Sequence, residues 1–366
     1  MENRIKSIFG EYAENMQILI DNTQDQFAQP FYPKYFSVGA PQVGLTYATA
    51  VGRRRIEAAA SVVAHGSEAP LRSRPGLETF SGEVAAIKVK RRMDEQEYRN
   101  WIALQHMPFA DEGRKSTLIG LIWNDVKAVV DSVRSRLDIM CKQALSTGNV
   151  TINVGNNPDG IVPGAIDLLL DTNTGTPGSR NGTTDAFGNT GTARWNSPNA
   201  NVVNDINTVV QAAENAGVTY EKILMTAAQW RQVANRANTV LVFGQQPTLD
   251  EMNNYLVDRQ LPYIELVTGN HSLETDGVVA PFVAWANRHV AFIPAGNAGI
   301  IHNTLAIEEI SPVVGVSYAN TGRVLVSKWS QTEPFGEYTR GEVAAFPGLE
   351  IADSILIVNV EADDWA

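Results

Sequence analysis

Apolar residues recur at Leu118, Ile122, Val126, Val129, Val133, Leu137, Met140 and Ala144, in steps of three and four that lay one stripe along one face of a helix. Ser116 or Thr117 stands where an N-cap is expected and Gly148 where a left-handed C-terminal cap is expected, so the pattern predicts a helix over 116–147. About thirty residues at 1.5 Å each make a rod of roughly 45 Å, against the three turns usual in globular domains. The β-like run VTINV follows at once, and after the loop GNNPDG the run AIDLLLD again predicts sheet.

On the N-terminal side, Ile5, Ile8, Tyr12, Met16 and Leu19 or Ile20 share one face, which predicts an amphipathic helix over 1–24. The segment FAQPFYPKYFSVGAPQVG then crowds five aromatics into residues 27–36, and Pro30, Pro33 and Pro41 break any regular element. Aromatic surface of that size seeks burial, so the segment reads as an extended arm lying on something else, another subunit included. A long hairpin comes next: GRRRIEAAASVVAHG goes out, SEAPLRSRPG turns, and LETFSGEVAAIKVKRRM returns with Ile87, Val89 and Arg91 alternating against Lys88, Lys90 and Arg92. Two such strands do not make a stable unit alone. With Arg53, Arg54, Arg55, Arg72 and Arg74 on it, the hairpin calls for a partner surface.

Beyond the long helix, residues 171–200 hold 5 Gly, 7 Thr and 5 Asn, too little apolar surface for a core, and are expected to form a surface loop. From Asn201 the pattern is compact α/β. Val202, Ile206, Val209 and Ala213 stripe a helix ended by Gly217, KILM is a short buried strand, and TAAQWRQVANR is a helix capped by Thr226. Thr248 and Glu251 form a capping box for DEMNNYLVDR, LPYIELV is a strand, and VAWANRHVAFIPAGNAGI is a strand pair broken at Pro294 and Gly296. Residues 307–360 read as strands throughout.

Composition narrows the classes. At 44% hydrophobic and 19% charged, the 366 residues suffice for real cores and argue against wholesale disorder. No run of about eighteen apolar residues exists for a membrane helix, and the N-terminus lacks a cleavage-site pattern. The one cysteine, Cys141, excludes an internal disulfide framework and reads as a small buried side chain in a reducing compartment. Residues 1–150 carry 19 Lys+Arg and 17 Asp+Glu, while the remainder carries 10 and 23. A basic front half and acidic back half suit subunits that lay one across the other; the net charge of −11 does not suit tight nucleic-acid binding.

Catalytic constellations are missing from the sequence. His65, His106, His271, His289 and His302 show no metal-ligand spacing, and there is no P-loop, no dinucleotide fingerprint and no nucleophile elbow. Glu361, Asp363 and Asp364 read as a solvated tail, and Asp94, Glu95 and Glu97 beside Arg91 and Arg92 as a surface charge cluster. We therefore expect no enzyme, no catalytic residue, no metal and no cofactor.

The order of parts resembles the major capsid proteins of tailed bacteriophages, an α+β fold of the Hong Kong 97-like type, and within them the lambda-type major capsid protein E family. GSEAPLRSRPGLETFSGEVAAIKVKRRM is similar to that family's extended loop. WNSPNANVVNDINTVVQAAENAGVTYEKILMTAAQWRQV is similar to its axial-lobe opening, and FIPAGNAGI with the closing strands to the return into the peripheral lobe. The resemblance implies an N-terminal arm (1–46), an extended loop (47–93), an axial domain (201–302) and a peripheral domain (94–200 and 303–366) with the 116–147 helix as spine and 171–200 as a loop insertion. It implies inter-subunit contact by the loop and arm through Arg53, Arg54, Arg55, Arg72, Arg74, Phe31, Tyr32, Tyr35 and Phe36. It further implies a self-assembling icosahedral shell of hexamers and pentamers in the virion, built in the host bacterial cytoplasm around double-stranded DNA. Portal, separate scaffolding and decoration proteins are the partners it implies, with no membrane.

Some relatives weld subunits through a lysine on the extended loop. Residues 67–76 hold arginines and no lysine, so a non-covalently held shell is expected. No long helical leader precedes the arm, which favours a separate scaffolding protein. Two other readings remain open at this point: an encapsulin-like nanocompartment of the same fold, and an enzyme using loop residues such as Asp159 or His106.

Overall fold

In the computed structural model the described residues are Gln17, Ile20, 27–52, 77–99, 111–157, 159–160, 164–168, 170, 177–182, 195–198, 200–268, 270–275, 277–333 and 335–361. The long helix, α1, runs Asp111–Thr147. It starts ahead of Ser116 and Thr117, which therefore lie inside it rather than capping it. At its other end Gly148 takes φ +70°, and its N–H returns to the Ala144 carbonyl at 3.0 Å, as the sequence predicts. Of the predicted stripe, Val126, Val129, Val133, Leu137, Met140 and Ala144 are all buried. So are Val130, Ile139, Cys141 and Leu145, so this half of the helix is enclosed on more than one side.

The helix lies across a six-stranded sheet. Its strands are β1 (Phe36–Val38), β4 (Ala86–Met93), β13 (Gly299–Thr304), β14 (Ser317–Thr321), β15 (Val324–Thr332) and β16 (Phe335–Leu349), in the order β1-β13-β16-β15-β14 with β4 also on β16. Gly341 makes the close helix–sheet approach possible: a Cβ there meets the Val129 carbonyl oxygen at 3.0 Å.

The predicted return strand of the hairpin proves to be two strands. β3 (Leu77–Glu83) pairs antiparallel with β2 (Thr46–Gly52), from Thr46↔Glu83 to Gly52↔Leu77. After Val84 and Ala85 the chain changes sheets and becomes β4, running against β16 from Met93↔Glu337 to Ala86↔Ala344. The Ile87/Val89 alternation belongs to that sheet, where both residues are half-buried and Lys88 and Lys90 are exposed.

A second sheet, of five strands, is ordered β7-β17-β12-β8-β9. Its strands are β7 (Ser179–Gly182), β8 (Tyr220–Thr226), β9 (Tyr263–Val267), β12 (His289–Pro294) and β17 (Leu356–Asn359). One face carries Leu224, Ala291, Ile293 and Ile357 into the core that α1 seals. The other carries Ile223, Met225, Val290, Phe292, Leu356 and Val358 into a second core under α2 (Val202–Asn215), α3 (Ala227–Ala234) and α5 (Leu249–Val257). Burial on both faces explains why KILM, HVAFIP and ILIVN read as unbroken apolar runs. β7 lies within the stretch expected to be a loop, because four residues suffice to add an edge strand parallel to β17.

The remaining elements are two small antiparallel pairs and two short helices. β5 (Asn149–Ile152) pairs with β6 (Gly164–Asp167), and β10 (His271–Thr275) with β11 (Val278–Phe282). α4 spans Ala237–Phe243, and α6 (Ile307–Ile310) interrupts the region read as strands throughout. Thr226 caps α3, accepting from the Gln229 N–H, and Thr248 with Glu251 forms the capping box of α5. The helix predicted over 1–24 lies outside the described residues apart from Gln17 and Ile20, both helical.

Candidate assembly surfaces

The aromatic arm is fastened to its own spine. Asp131, Arg134, Asp138 and Lys142 follow one another by three and four residues and so share a face of α1. Asp131 Oδ1 accepts the Ala28 N–H at 3.1 Å, and Arg134 stacks over the Phe27 ring at 5.0 Å. Asp138 Oδ1 accepts the N–H groups of Phe31 and Tyr32 at 2.9 and 3.0 Å, opening the 3-10 turn Tyr32–Lys34. Lys142 Nζ lies 5.2 Å from the centroid of the Phe31 ring. From the sequence, the outer face of the helix, with Lys127, Asp131, Arg134 and Asp138, is expected to belong partly to the shell's surface. The structure corrects that: unpaired N–H groups of a proline-broken arm need acceptors, and a helix face with carboxylates at that spacing supplies them.

Tyr32, Tyr35 and Phe36 are buried in the first core and Phe31 packs half-buried against it, so their apolar surface is satisfied within this chain. Of the two surfaces the sequence left open for these rings, this chain's own core covers them. β1 then pairs parallel with β13, and Gln42 continues the contact through its N–H to the Asn303 carbonyl at 3.0 Å. Arg53, Arg54, Arg55, Arg72 and Arg74 lie outside the described residues, so the arginines and the arm are not brought to one described surface.

The hairpin is held at its root. Buried Tyr47 stacks on His302 at 4.6 Å and on Phe346 at 5.6 Å, and the Val84 N–H reaches the Leu45 carbonyl at 2.8 Å. Beyond that root β2 and β3 pair in a sheet only with each other. Beside it Lys88 Nζ meets Glu342 at 2.7 Å, and Arg340 bridges Glu342 at 3.4 Å and Glu308 at 2.5 Å.

A polar node joins α1 to the β10–β11 pair. Lys142 Nζ donates to the Thr268 carbonyl at 3.0 Å and to His271 Nε2 at 2.9 Å. Nδ1 of the neutral ring then donates to Ser135 Oγ at 2.7 Å. Burial, reinforced by the Lys142 and Arg136 charges, pushes the His271 imidazole down to about 4. Burial also pulls the Lys142 amine below its ordinary value, against the Asp138 charge. No sequence spacing announces this node, since its members are 136 residues apart.

The α/β portion has its own internal ties. Fully buried Trp195 donates Nε1–H to Asp205 Oδ2 at 3.0 Å, joining the start of the segment to α2. Cys141 is wholly buried and its thiol is raised by desolvation, as expected of a core side chain. Among the described residues no three His, Cys, Asp or Glu side chains gather as a metal would require.

Residues 22–162, from the arm through α1 into the β5–β6 loop, match the family described as Phage major capsid protein E. Over that stretch the chain is similar to this family. Its fold agrees. The putative capsid protein of a prophage of E. coli CFT073 superposes with a TM-score of 0.53 at 14% identity, over 95% of this chain and 96% of that one. A phage-related protein of Bordetella bronchiseptica RB50 gives 0.51 at 12% identity, over 93% and 95%. No curated protein sequence matches the chain. The chain thus shares the mixed α+β fold of these two structures.

Proposed function

We propose that this chain is a major capsid protein that forms the closed icosahedral head of a tailed bacteriophage, as hexamers and pentamers of one chain around packaged double-stranded DNA. In this reading 1–46 is the arm, 47–93 the extended loop, 201–302 the axial domain, and 94–200 with 303–366 the peripheral domain. The observation that carries it is the β2–β3 ladder, seven residues long and bonded in a sheet only to itself. A free-standing two-stranded ribbon is marginal in water, and a neighbouring subunit is the surface that stabilises it. The arm's rings are settled internally, so the ribbon and its five arginines carry the inter-subunit role, with the arm fixing the spine beneath. The acidic balance of residues 151–366 suits a lining that does not grip DNA. Portal, scaffolding and decoration proteins complete the proposed assembly, which takes place in the host cytoplasm.

Negative-stain microscopy of the expressed chain tests this directly. Closed shells of uniform size are expected. A compact monomer at micromolar concentration in light scattering overturns the reading, and small DNA-free shells with protein inside redirect it to a nanocompartment. Particles boiled in detergent are expected to run as single chains; ladders of linked subunits refute the non-covalent shell.

A further inference from the structure

The β10–β11 pair is a second ribbon outside both large sheets. Directly opposed residues share a face, which sorts its side chains in two. His271, Leu273 and Phe282 are half-buried and belong to the face turned to the protein, where His271 meets Ser135 and Lys142. The other face is exposed along its whole length: Ser272, Glu274, Val279 and Pro281, with Val283 next in the alternation. Val279 and Val283 are 64% and 62% exposed on this face. An apolar stripe on a two-stranded ribbon is poorly placed as a free surface.

The stripe is also electrically one-sided. Residues 268–283 contain Glu274 and Asp276 and no Lys or Arg. The segment joining β2 to β3, residues 53–76, contains five Arg and two Glu around the apolar run AAASVVA. It leaves the ladder at Gly52 and re-enters at Leu77, the end farthest from the buried Tyr47 root, roughly 20 Å out at 3.4 Å per residue. We infer that the exposed face of β10–β11 is the docking surface for residues 53–76 of a second copy of this chain, apolar run on the valine stripe and arginines beside Glu274. The inference deepens the proposed shell by naming the surface on which the extended loop lands, and it rests on that reading.

Charge exchange tests it in the full-length chain, with particle yield by sedimentation and microscopy and subunit folding by circular dichroism. Glu274→Arg is expected to leave the subunit folded and to cut particle yield by about tenfold, since like charges then face each other across the contact. Arg72→Glu with Arg74→Glu is expected to do the same, and the three substitutions together to restore most of the yield. Val279→Ser with Val283→Ser supplies a charge-free check, with folded subunits and fewer particles expected. Parent-like yield from Glu274→Arg, or a triple variant no better than its parts, overturns the docking while the shell stands. A parent chain that stays monomeric overturns the shell and the docking together.

Discussion

Asp138 ties the arm to the spine helix. It is buried, it accepts the Phe31 and Tyr32 N–H groups, and it sits one helical turn from Lys142. Asp138→Ala leaves two backbone donors without their acceptor and the Lys142 amine without its nearest countercharge. A loss of about 2–4 kcal/mol is expected. Denaturant unfolding of the unassembled subunit measures it, and a change within experimental error would show the arm to be held by its rings alone. Asp138→Asn keeps one acceptor oxygen and should fall between. Two imidazoles, His271 and His289, contribute a pH dependence to stability. Both are pushed down to about 4 in the fold, mainly by burial, against about 6.5 in the open chain. Between those values the unfolded chain binds more protons, so stability is full above pH ~6.5 and falls as the pH drops towards 4. The denaturation midpoint followed from pH 7.5 to 4 checks this. His271→Gln should make the decline shallower, and an unchanged slope would exclude that imidazole.

At the scale of elements, close approach decides more than propensity. A Cβ on Gly299 would collide with the Gly348 carbonyl of the neighbouring strand, so Gly299→Ala should yield little folded protein. Gly244 ends α4 at φ +73° with open space around it, so Gly244→Ala should cost only about 1 kcal/mol, from backbone strain. Soluble yield and thermal midpoint distinguish the two; equal effects would mean that the β13–β16 pair parts more easily than it looks. The helices with a clean polar face, α2 and α5, were legible to their caps because one side of each meets water. The buried half of α1 was legible as a stripe but not as a seat, because its second face is polar in composition and covered only when the arm folds back. The β3–β4 break was hidden because EVAAIKV holds no Gly or Pro to mark the change of sheet.

For the whole molecule, one sheet between two cores sets the stability. β8, β12 and β17 send alternate residues into each core, so damage in this sheet reaches both. Phe292→Ala, at a position fully buried in the second core, should cost about 3–5 kcal/mol and lower particle yield through loss of folded subunits. Arg72→Glu with Arg74→Glu should lower yield with the subunit's unfolding curve unchanged. Comparing those two variants separates folding from assembly, and coincident behaviour would mean that the basic segment helps the subunit fold.

The sequence by itself determined the order of parts, the long helix and the caps at Gly148, Thr226 and Thr248. These depend on spacing and on residue chemistry within a few positions, and they survive in a linear string. Which surface each part covers was decided only by the tertiary structure. The arm's aromatics look like surface in search of a neighbour until Asp138, 106 residues from Tyr32, takes up the backbone of their turn. The Lys142–His271–Ser135 node and the exposed valine face of β10–β11 likewise exist only once the chain has returned upon itself. Burial and electrostatic pairing are properties of proximity in space, and over such separations proximity is set by packing.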